Sequence, residues 1–178
     1  MAAMIERAEL HKTIWRIAND LRGSVDGWDF KSYVLGFLFY RFISEKLTDY
    51  MNVSEREGIL SEGGTPEEAA AFDYATLSDE EAESDRENIV REKGFFIRPS
   101  DLFANVRARA ASDEDLNETL ARVFRFIENS ARGGGSESDL RGLFDDVDVN
   151  STKLGNTVAQ RNAKLVKIMD AVGDLPLE

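Results

Sequence analysis

The most constraining feature of the chain is the uncharged run from Ser32 to Tyr40, at the centre of a predicted helix. The part from Tyr33 to Tyr40 is apolar on every side of that helix. Such a helix in a globular protein has to be covered by other helices. The run is far shorter than the ~18 apolar residues that a membrane span needs. We therefore expect a bundle of helices without a membrane-spanning segment.

Another helix is predicted just before this run. Gly23 is predicted to end it, because glycine readily adopts the left-handed conformation found just past a helix end. Asp29 is predicted to cap the helix that follows. The apolar face of the earlier helix has the i, i+4, i+7, i+11 spacing and consists of Leu10, Ile14, Ile17 and Leu21.

Six large aromatic side chains lie in these two predicted helices. They are Trp15, Trp28, Phe30, Phe37, Phe39 and Phe42. Burying a side chain of this size contributes roughly 1.5–3 kcal/mol, so we interpret the set as core. A partner-facing aromatic patch is the alternative interpretation.

The remainder of the chain predicts further helices and little sheet. Pro66 is well placed in the first turn of a short helix through Ala71, and Ser100 or Asp101 is predicted to cap another. A helix starting near Ser112 has the predicted inward face Leu116, Leu120, Val123, Phe124 and Ile127. A last helix over residues 157–172 is predicted to bury Val158, Leu165, Ile168, Met169 and Val172. The predicted fold class is mainly α, a multi-helix bundle of about seven helices, with at most a short two-stranded hairpin near 94–99.

One domain is expected over residues 1–178. Within it we expect a two-helix core over 5–53, an acidic segment over 54–93 and C-terminal helices over 100–172. The net charge of −12 arises mainly from the acidic segment, which is interpreted as solvated. Affinity for nucleic acid rests on lysines and arginines that displace counterions from phosphates. The chain is therefore expected to bind DNA weakly by itself.

No residue is nominated as catalytic, cofactor-binding or metal-binding. The chain has no cysteine, and His11 is its only histidine. None of its three prolines belongs to the Asn/Asp-Pro-Pro-aromatic segment with which an amino-methyltransferase holds a flipped base. The triple glycine 133–135 follows a predicted helix rather than the strand that precedes a cofactor turn. Independent catalysis is not expected.

Positive charge is concentrated near the end of the chain. No acidic residue occurs from Val149 to Met169. The bases in this stretch are candidate contacts for phosphates or an acidic partner: Lys153, Arg161, Lys164 and Lys167. The last three follow at i, i+3 and i+6, close to one face of the predicted helix. A solvated helix face is the alternative interpretation.

Four blocks, in the usual order, resemble the N-terminal helical domain of the modification subunit of type I restriction-modification systems. They read LHKTIWRIANDLRG, SYVLGFLFYRFISEKL, GLFDDVDVNSTKLGN and RNAKLVKIM. None of the blocks is a catalytic signature, but together they extend over most of the chain. The resemblance therefore rests on the order of several core-like segments rather than on one motif.

This resemblance implies a non-catalytic role in a DNA adenine-N6 methyltransferase. In the family, two modification subunits and one specificity subunit form the enzyme. The domain is expected to help enclose DNA and to contact the specificity subunit, the second modification subunit and, as a further candidate, the restriction subunit. S-adenosylmethionine is expected in the full-length subunit and not in this chain, since the catalytic domain is expected to lie outside it.

Two other hypotheses stay open. A free-standing helical protein-interaction or regulatory domain is the main one, and the reading frame beyond Glu178 would distinguish it from the family. A helix-turn-helix regulator over Ser24–Leu38 is weaker, because a recognition helix must present polar side chains to the groove. A cytoplasmic location is expected, since there is no cysteine and since Glu6 and Glu9 argue against a signal peptide.

Overall fold

The computed structural model describes Lys12, residues 27–132 and residues 137–175. The predicted first helix, apart from Lys12, lies outside the described residues, as do the turn at Gly23, His11 and the triple glycine 133–135. The described ranges contain eight α-helices and two 3₁₀ turns, and no strand occurs in them. The prediction of a mainly helical fold is confirmed.

Helix α1 (Gly27–Ser61) is the longest described element, with 35 residues. Its backbone is already helical at Asp29, so the prediction that this residue caps the helix is wrong. One side of α1 is buried and carries Tyr33, Val34, Phe37, Tyr40, Ile43 and Leu47. The other side exposes Leu35 and Phe42, and the Phe42 ring centre lies 5.6 Å from the Lys46 ammonium and 6.4 Å from the Phe39 ring centre. Leu35 and Phe42 thus depart from the expectation that α1 is covered all round, as far as the described residues go.

Short helices follow α1 in the acidic segment. They are α2 (Pro66–Ala71), a 3₁₀ turn (Tyr74–Thr76), α3 (Asp79–Glu83) and α4 (Arg86–Lys93). Thr65 and Glu68 form a reciprocal capping box at the start of α2, and Ser78 and Glu81 form another at α3. Each box satisfies two backbone N–H groups that would otherwise lack partners at the helix start. The predicted helix from Pro66 to Ala71 is confirmed.

The strand candidate at 94–99 does not form a strand. Gly94 ends α4 with φ 86°, and the residues after it are extended, with Phe96 and Ile97 fully buried. The Phe96 N–H donates to Ser130 Oγ at 2.9 Å, and the Ile97 carbonyl accepts from the Tyr74 hydroxyl at 2.8 Å. Because side chains satisfy these backbone groups, the segment is held in place without a neighbouring strand.

Four further helices complete the described fold: α5 (Phe103–Ala110), α6 (Leu116–Ser130), α7 (Glu137–Leu140) and α8 (Val158–Gly173). The predicted inward face of α6 is buried throughout, as are four of the five residues predicted for α8. Val158 is exposed because it is the first residue of α8, directly after the Thr157 N-cap.

The predicted starts of α5 and α6 are wrong. Residues 99–101 form a 3₁₀ turn, and α5 begins only at Phe103, whose N–H donates to Ser44 Oγ on α1 at 3.1 Å. Helix α6 begins at Leu116 rather than near Ser112, after a turn in which Asp113 accepts from the Asp115 N–H. In both places tertiary or turn contacts replace the expected side-chain caps.

The core is built around the ring of Phe124. It stacks on Phe144 with centroids 4.3 Å apart, and it meets Phe37 and Tyr40 edge-on at 5.8 Å and 5.4 Å. Helix α1 packs against α2, α5 and α8, and α8 also packs against α5 and α6. At Gly36 a Cβ atom would lie 2.2 Å from Val147 Cγ2, so only glycine lets that side chain approach α1 so closely.

Ser130→Ala tests how the extended segment is held. The change leaves the buried Phe96 N–H without its acceptor, and we expect the free energy of unfolding to fall by about 1–3 kcal/mol. Urea denaturation followed by circular dichroism measures it. Ser112→Ala, at an exposed serine, is the matched control and should stay within about 0.5 kcal/mol. Equal effects of the two substitutions would contradict this account.

Candidate nucleic-acid interface

The predicted basic residues lie on α8 and on the loop before it. Arg161, Lys164 and Lys167 belong to α8, while Lys153 lies in the preceding loop and is exposed. Lys167 is exposed, and Lys164 is half-buried. Arg161 folds back along the protein, since its Nη1 donates to the Gly155 carbonyl at 3.2 Å. Arg161 therefore helps to hold the loop before α8 in place. Lys164 and Lys167 are the basic residues of α8 that are better placed to contact a ligand.

Helix α8 is anchored by buried asparagines next to this basic stretch. Asn162 Oδ1 accepts from the Asn117 N–H at 3.1 Å, and its Nδ2 donates to the Glu114 carbonyl at 2.8 Å. Asn117 in turn donates through Nδ2 to Asn150 Oδ1 at 2.5 Å. These bonds tie α8 to the start of α6 and to the loop around Asn150. The basic residues are thus presented from a fixed helix.

The opposite end of α8 carries acidic residues that are already paired. Arg107 donates to the Asp170 carboxylate at 3.1 Å and to the Asp174 carboxylate at 2.7 Å. The hydrogen bond to Asp174 raises the pKa of the Arg107 guanidinium, and that to Asp170 adds to this effect, while partial burial opposes it. Arg41 Nη1 donates to the carbonyls of Val172 at 2.8 Å and Leu175 at 2.6 Å. Positive charge is therefore concentrated in the first part of α8.

A cavity of about 390 Å³ lies beside these paired arginines. It is lined by Arg41, Glu45, Phe103, Ala104, Arg107, Ala108, Asp170 and Gly173. Both of its guanidiniums already donate to carboxylates or carbonyls within the chain. The cavity is thus part of the anchor of α8 and offers no spare charge for a ligand.

A set of arginines that the sequence analysis did not single out meets around the ring of Phe126. The Arg98 guanidinium lies 4.4 Å from the ring centre and that of Arg86 lies 5.1 Å from it. Arg98 and Arg122 both donate to Oδ2 of Asp101, at 3.1 Å and 3.2 Å. We call Arg86, Arg98 and Arg122 the arginine cluster. Its members lie far apart in sequence, so no local spacing could have revealed it.

Asp79 connects α3 to the 3₁₀ turn Pro99–Asp101 beside this cluster. Its carboxylate accepts from the Ser100 N–H at 3.0 Å and from Ser100 Oγ at 2.5 Å. Burial acts to raise the pKa of Asp79. The hydrogen bonds from Ser100 and the charges of Arg98 and Arg109 outweigh burial, so the pKa lies below its ordinary value of 3.8.

Lowering the pH should lower the free energy of unfolding, because the Asp79 carboxylate becomes protonated. The pKa of Asp79 is lower in the folded chain than in the unfolded chain. Its contribution to the free energy of unfolding is therefore fully present above the unfolded-state pKa, and it is lost as the pH falls through the folded-state pKa. The difference in free energy of unfolding between wild type and Asp79→Asn should therefore be constant above about pH 5 and shrink below it. Urea denaturation at a series of pH values measures this. Ser100→Ala, which removes one donor, should reduce the loss, and a difference that does not change with pH would contradict the assignment.

A family model described as the HsdM N-terminal domain matches residues 10–172 of the chain. The chain belongs to the HsdM N-terminal domain family. The resemblance stated from the sequence is thereby confirmed, and the match includes α1 and α8 together with the loop that carries Lys153.

Two relatives of this family member are much longer than the chain. The type I restriction enzyme MpnII methylase subunit of Mycoplasma pneumoniae is 41% identical over 180 residues, which cover 97% of the chain and 31% of the relative. The crystal structure of the type I restriction-modification system methyltransferase subunit from Streptococcus thermophilus matches with a TM-score of 0.70 and 28% identity. That match covers 96% of the chain and 34% of the solved chain. The chain thus spans about a third of the length of both relatives.

The described residues of this HsdM N-terminal domain contain no turn of the dinucleotide-binding type. A dinucleotide-type cofactor turn follows a strand, and residues 27–132 and 137–175 form none. In the same ranges, no three acidic or histidine side chains come together to hold a metal ion. No helix there combines the length and apolar character needed to cross a bilayer. The buried Tyr33, Val34 and Phe37 also exclude the face of α1 that they form from reading a DNA groove.

Proposed function

We propose that this chain is the non-catalytic helical domain of a type I restriction-modification modification subunit. In this proposal it helps enclose DNA and assembles with the specificity subunit and a second modification subunit for adenine-N6 methylation. The restriction subunit is a further candidate partner. The observation that carries the proposal is the family match over residues 10–172, reinforced by two relatives named as methylase or methyltransferase subunits.

The proposed non-catalytic role agrees with the contacts of the described side chains. Its described side chains form a helical core, caps and ion pairs, and they assemble no candidate catalytic group. S-adenosylmethionine would then bind in the part of the full-length subunit that this chain does not represent. The domain would act as one unit from residue 1 to 178, in the cytoplasm, with the methyltransferase chemistry supplied elsewhere in the assembly.

The contact residues proposed for DNA or a partner subunit are Lys153, Arg161, Lys164 and Lys167. Their support is the stretch without acids from Val149 to Met169 and the fixed position of α8. A lysine that touches a phosphate contributes by releasing a condensed counterion, independent of DNA sequence. This surface would therefore position the assembly on DNA and leave sequence readout to another subunit.

The test uses the full-length modification subunit assembled with its specificity subunit. The double variant Lys164→Glu/Lys167→Glu leaves Arg161 and its bond to Gly155 in place. We expect it to bind target DNA more weakly and to reduce the slope of log affinity against log salt by about 2. Size-exclusion chromatography, methylation of target DNA and binding titrations at several salt concentrations are the measurements.

Lys31→Glu/Lys46→Glu on α1 is the matched control, because it reverses two exposed charges on a different helix. The control should keep the wild-type salt slope. An assembled complex with unchanged DNA affinity in the α8 variant would remove these residues from the interface. Failure of the wild-type subunit to assemble or methylate would refute the proposed function itself.

The chain alone should bind duplex DNA weakly at physiological salt. Its net charge of −12 opposes approach to the phosphate backbone, because 34 acidic residues outnumber 22 lysines and arginines. A mobility-shift titration with the purified chain checks this. Tight binding that resists salt would show that the domain is an autonomous DNA-binding module.

A further inference from the structure

We propose that a second copy of this chain pairs with the first along the outer side of α1, with the two helices antiparallel. The inference rests on the proposed function, since it names the surface on which a second modification subunit would contact this one. The geometry of α1 and the order of its exposed residues carry it.

The outer side of α1 bears a line of exposed apolar side chains. At 3.6 residues per turn, the positions 7, 18 and 25 residues after Leu35 return to within about 20° of its direction. All four positions hold a large apolar residue that is 47–56% exposed. These residues, which we call the outer stripe, are Leu35, Phe42, Val53 and Leu60. Single exposed apolar residues need no partner, whereas a line of them about 37 Å long indicates an interaction surface.

The outer stripe is symmetric about its middle. Leu35 and Leu60 lie equally far from the midpoint, and so do Phe42 and Val53. In an antiparallel pair with a two-fold axis at that midpoint, Leu35 lies opposite Leu60 of the second copy, and Phe42 lies opposite Val53. A two-fold interface needs this self-complementarity, because each copy contributes the same surface. Every residue of the stripe then meets another apolar residue.

Two charged residues near the midpoint favour the antiparallel orientation. Lys46 and Asp49 are exposed, and they too lie equally far from the midpoint. Both point within about 40° of the direction of Leu35. Antiparallel pairing places each Lys46 level with Asp49 of the second copy, whereas parallel pairing would place equal charges opposite each other, which is repulsive. A second, antiparallel copy therefore matches both the apolar and the charged positions.

The contact should be weak in the isolated chain. Two helices that touch along about 37 Å bury an area at the low end of specific interfaces, below about 1,200 Å². At concentrations well below the dissociation constant, pairing adds nothing to the free energy of unfolding. An assembly that already holds two modification subunits raises their effective concentration, so a weak contact suffices there. None of the residues proposed to contact phosphates lies on the outer stripe.

Sedimentation equilibrium of the chain, up to millimolar concentration, tests the pairing, and the wild type should form dimers. Lys46→Asp and Asp49→Lys each place like charges opposite each other twice, so each should raise the dissociation constant about tenfold. The double variant Lys46→Asp/Asp49→Lys restores opposite charges and should return it to the wild-type value. Arg125→Asp, at an exposed position of α6, is the matched control for Lys46→Asp and should leave it unchanged.

Cysteine cross-linking tests the orientation. The chain has no cysteine, so Leu35→Cys and Leu60→Cys each introduce a single thiol. A disulfide should form faster in a mixture of the two variants than in either alone. In the antiparallel pair, equal positions lie at opposite ends, about 37 Å apart along the helix axes, which is too far for a disulfide.

The other results overturn the inference. A chain that stays monomeric at millimolar concentration has no such pairing, and slow reaction of Phe42→Cys with a thiol reagent in that monomer would identify another part of the same chain as the occupant. Faster cross-linking between equal positions, or equal effects of Lys46→Asp and Arg125→Asp, would refute the antiparallel contact. These measurements need neither DNA nor the specificity subunit. They are therefore independent of methylation by the assembled complex, which judges the proposed function.

Discussion

Phe124→Ala should lower the free energy of unfolding by about 3–5 kcal/mol, because it removes a buried ring and leaves a cavity among other rings. The stacked contact with Phe144 and the edge contacts with Phe37 and Tyr40 are lost together. Those neighbours come from α1 and from the segment after α7, so the cavity cannot close by the movement of one side chain. Urea denaturation followed by circular dichroism and by intrinsic fluorescence measures the change.

Phe42→Ala is the matched control for this prediction. Phe42 is exposed on the opposite side of α1, where the Lys46 ammonium lies over its ring and the Phe39 ring lies beside it. Its removal should cost about 0.5 kcal/mol or less. If Phe42→Ala destabilised the chain as much as Phe124→Ala, the outer side of α1 would be covered in solution, and the one-sided burial of this helix would be wrong.

The helices with a strong local pattern could be predicted from the sequence. The face of α6 follows the 3.6-residue period so closely that every predicted residue of it is buried. The helix from Pro66 carries its own start signal, in which proline sits at the first turn. In these places, the information that defines the element lies within a few neighbouring residues.

The positions that the sequence did not reveal depend on partners far along the chain. Helix α5 starts where Ser44 Oγ on α1 meets the Phe103 N–H, and no residue near Phe103 indicates this. The segment at 95–97 is aromatic, like a strand, but its partners are the side chains of Ser130 and Tyr74. Local propensity cannot distinguish such a segment from a strand.

The residues of the candidate site show the same difference between local sequence patterns and long-range contacts. The basic residues of α8 were found because they lie within one acid-free stretch of sequence. The arginine cluster was missed because Arg86, Arg98 and Arg122 come together only through folding around Phe126 and Asp101. Even on α8, the sequence could not show that Arg161 turns back to the Gly155 carbonyl.

Asp101→Ala should lower the free energy of unfolding by about 2–3 kcal/mol. Removing one partner of a buried ion pair typically costs about 3–5 kcal/mol, because the remaining charge is left buried and unpaired. Here Arg98 and Arg122 are partly exposed and can be rehydrated, so the cost should fall below that range. The Asp101 carbonyl, which accepts from the Tyr40 hydroxyl, is kept in the variant.

Asp170→Ala separates the effect of burial from that of an ion pair as such. Asp170 also binds an arginine, at 3.1 Å from Arg107, but its side chain is 54% exposed. Its loss should cost under about 1 kcal/mol, as is usual for pairs at the surface. If both variants lost the same small amount, burial of Asp101 would add nothing to the strength of its pairs. If Asp101→Ala were more stable than the wild type, the cost of burying the Asp101 carboxylate would exceed the stabilisation from its ion pairs, and this carboxylate would then be retained at a net cost to the fold.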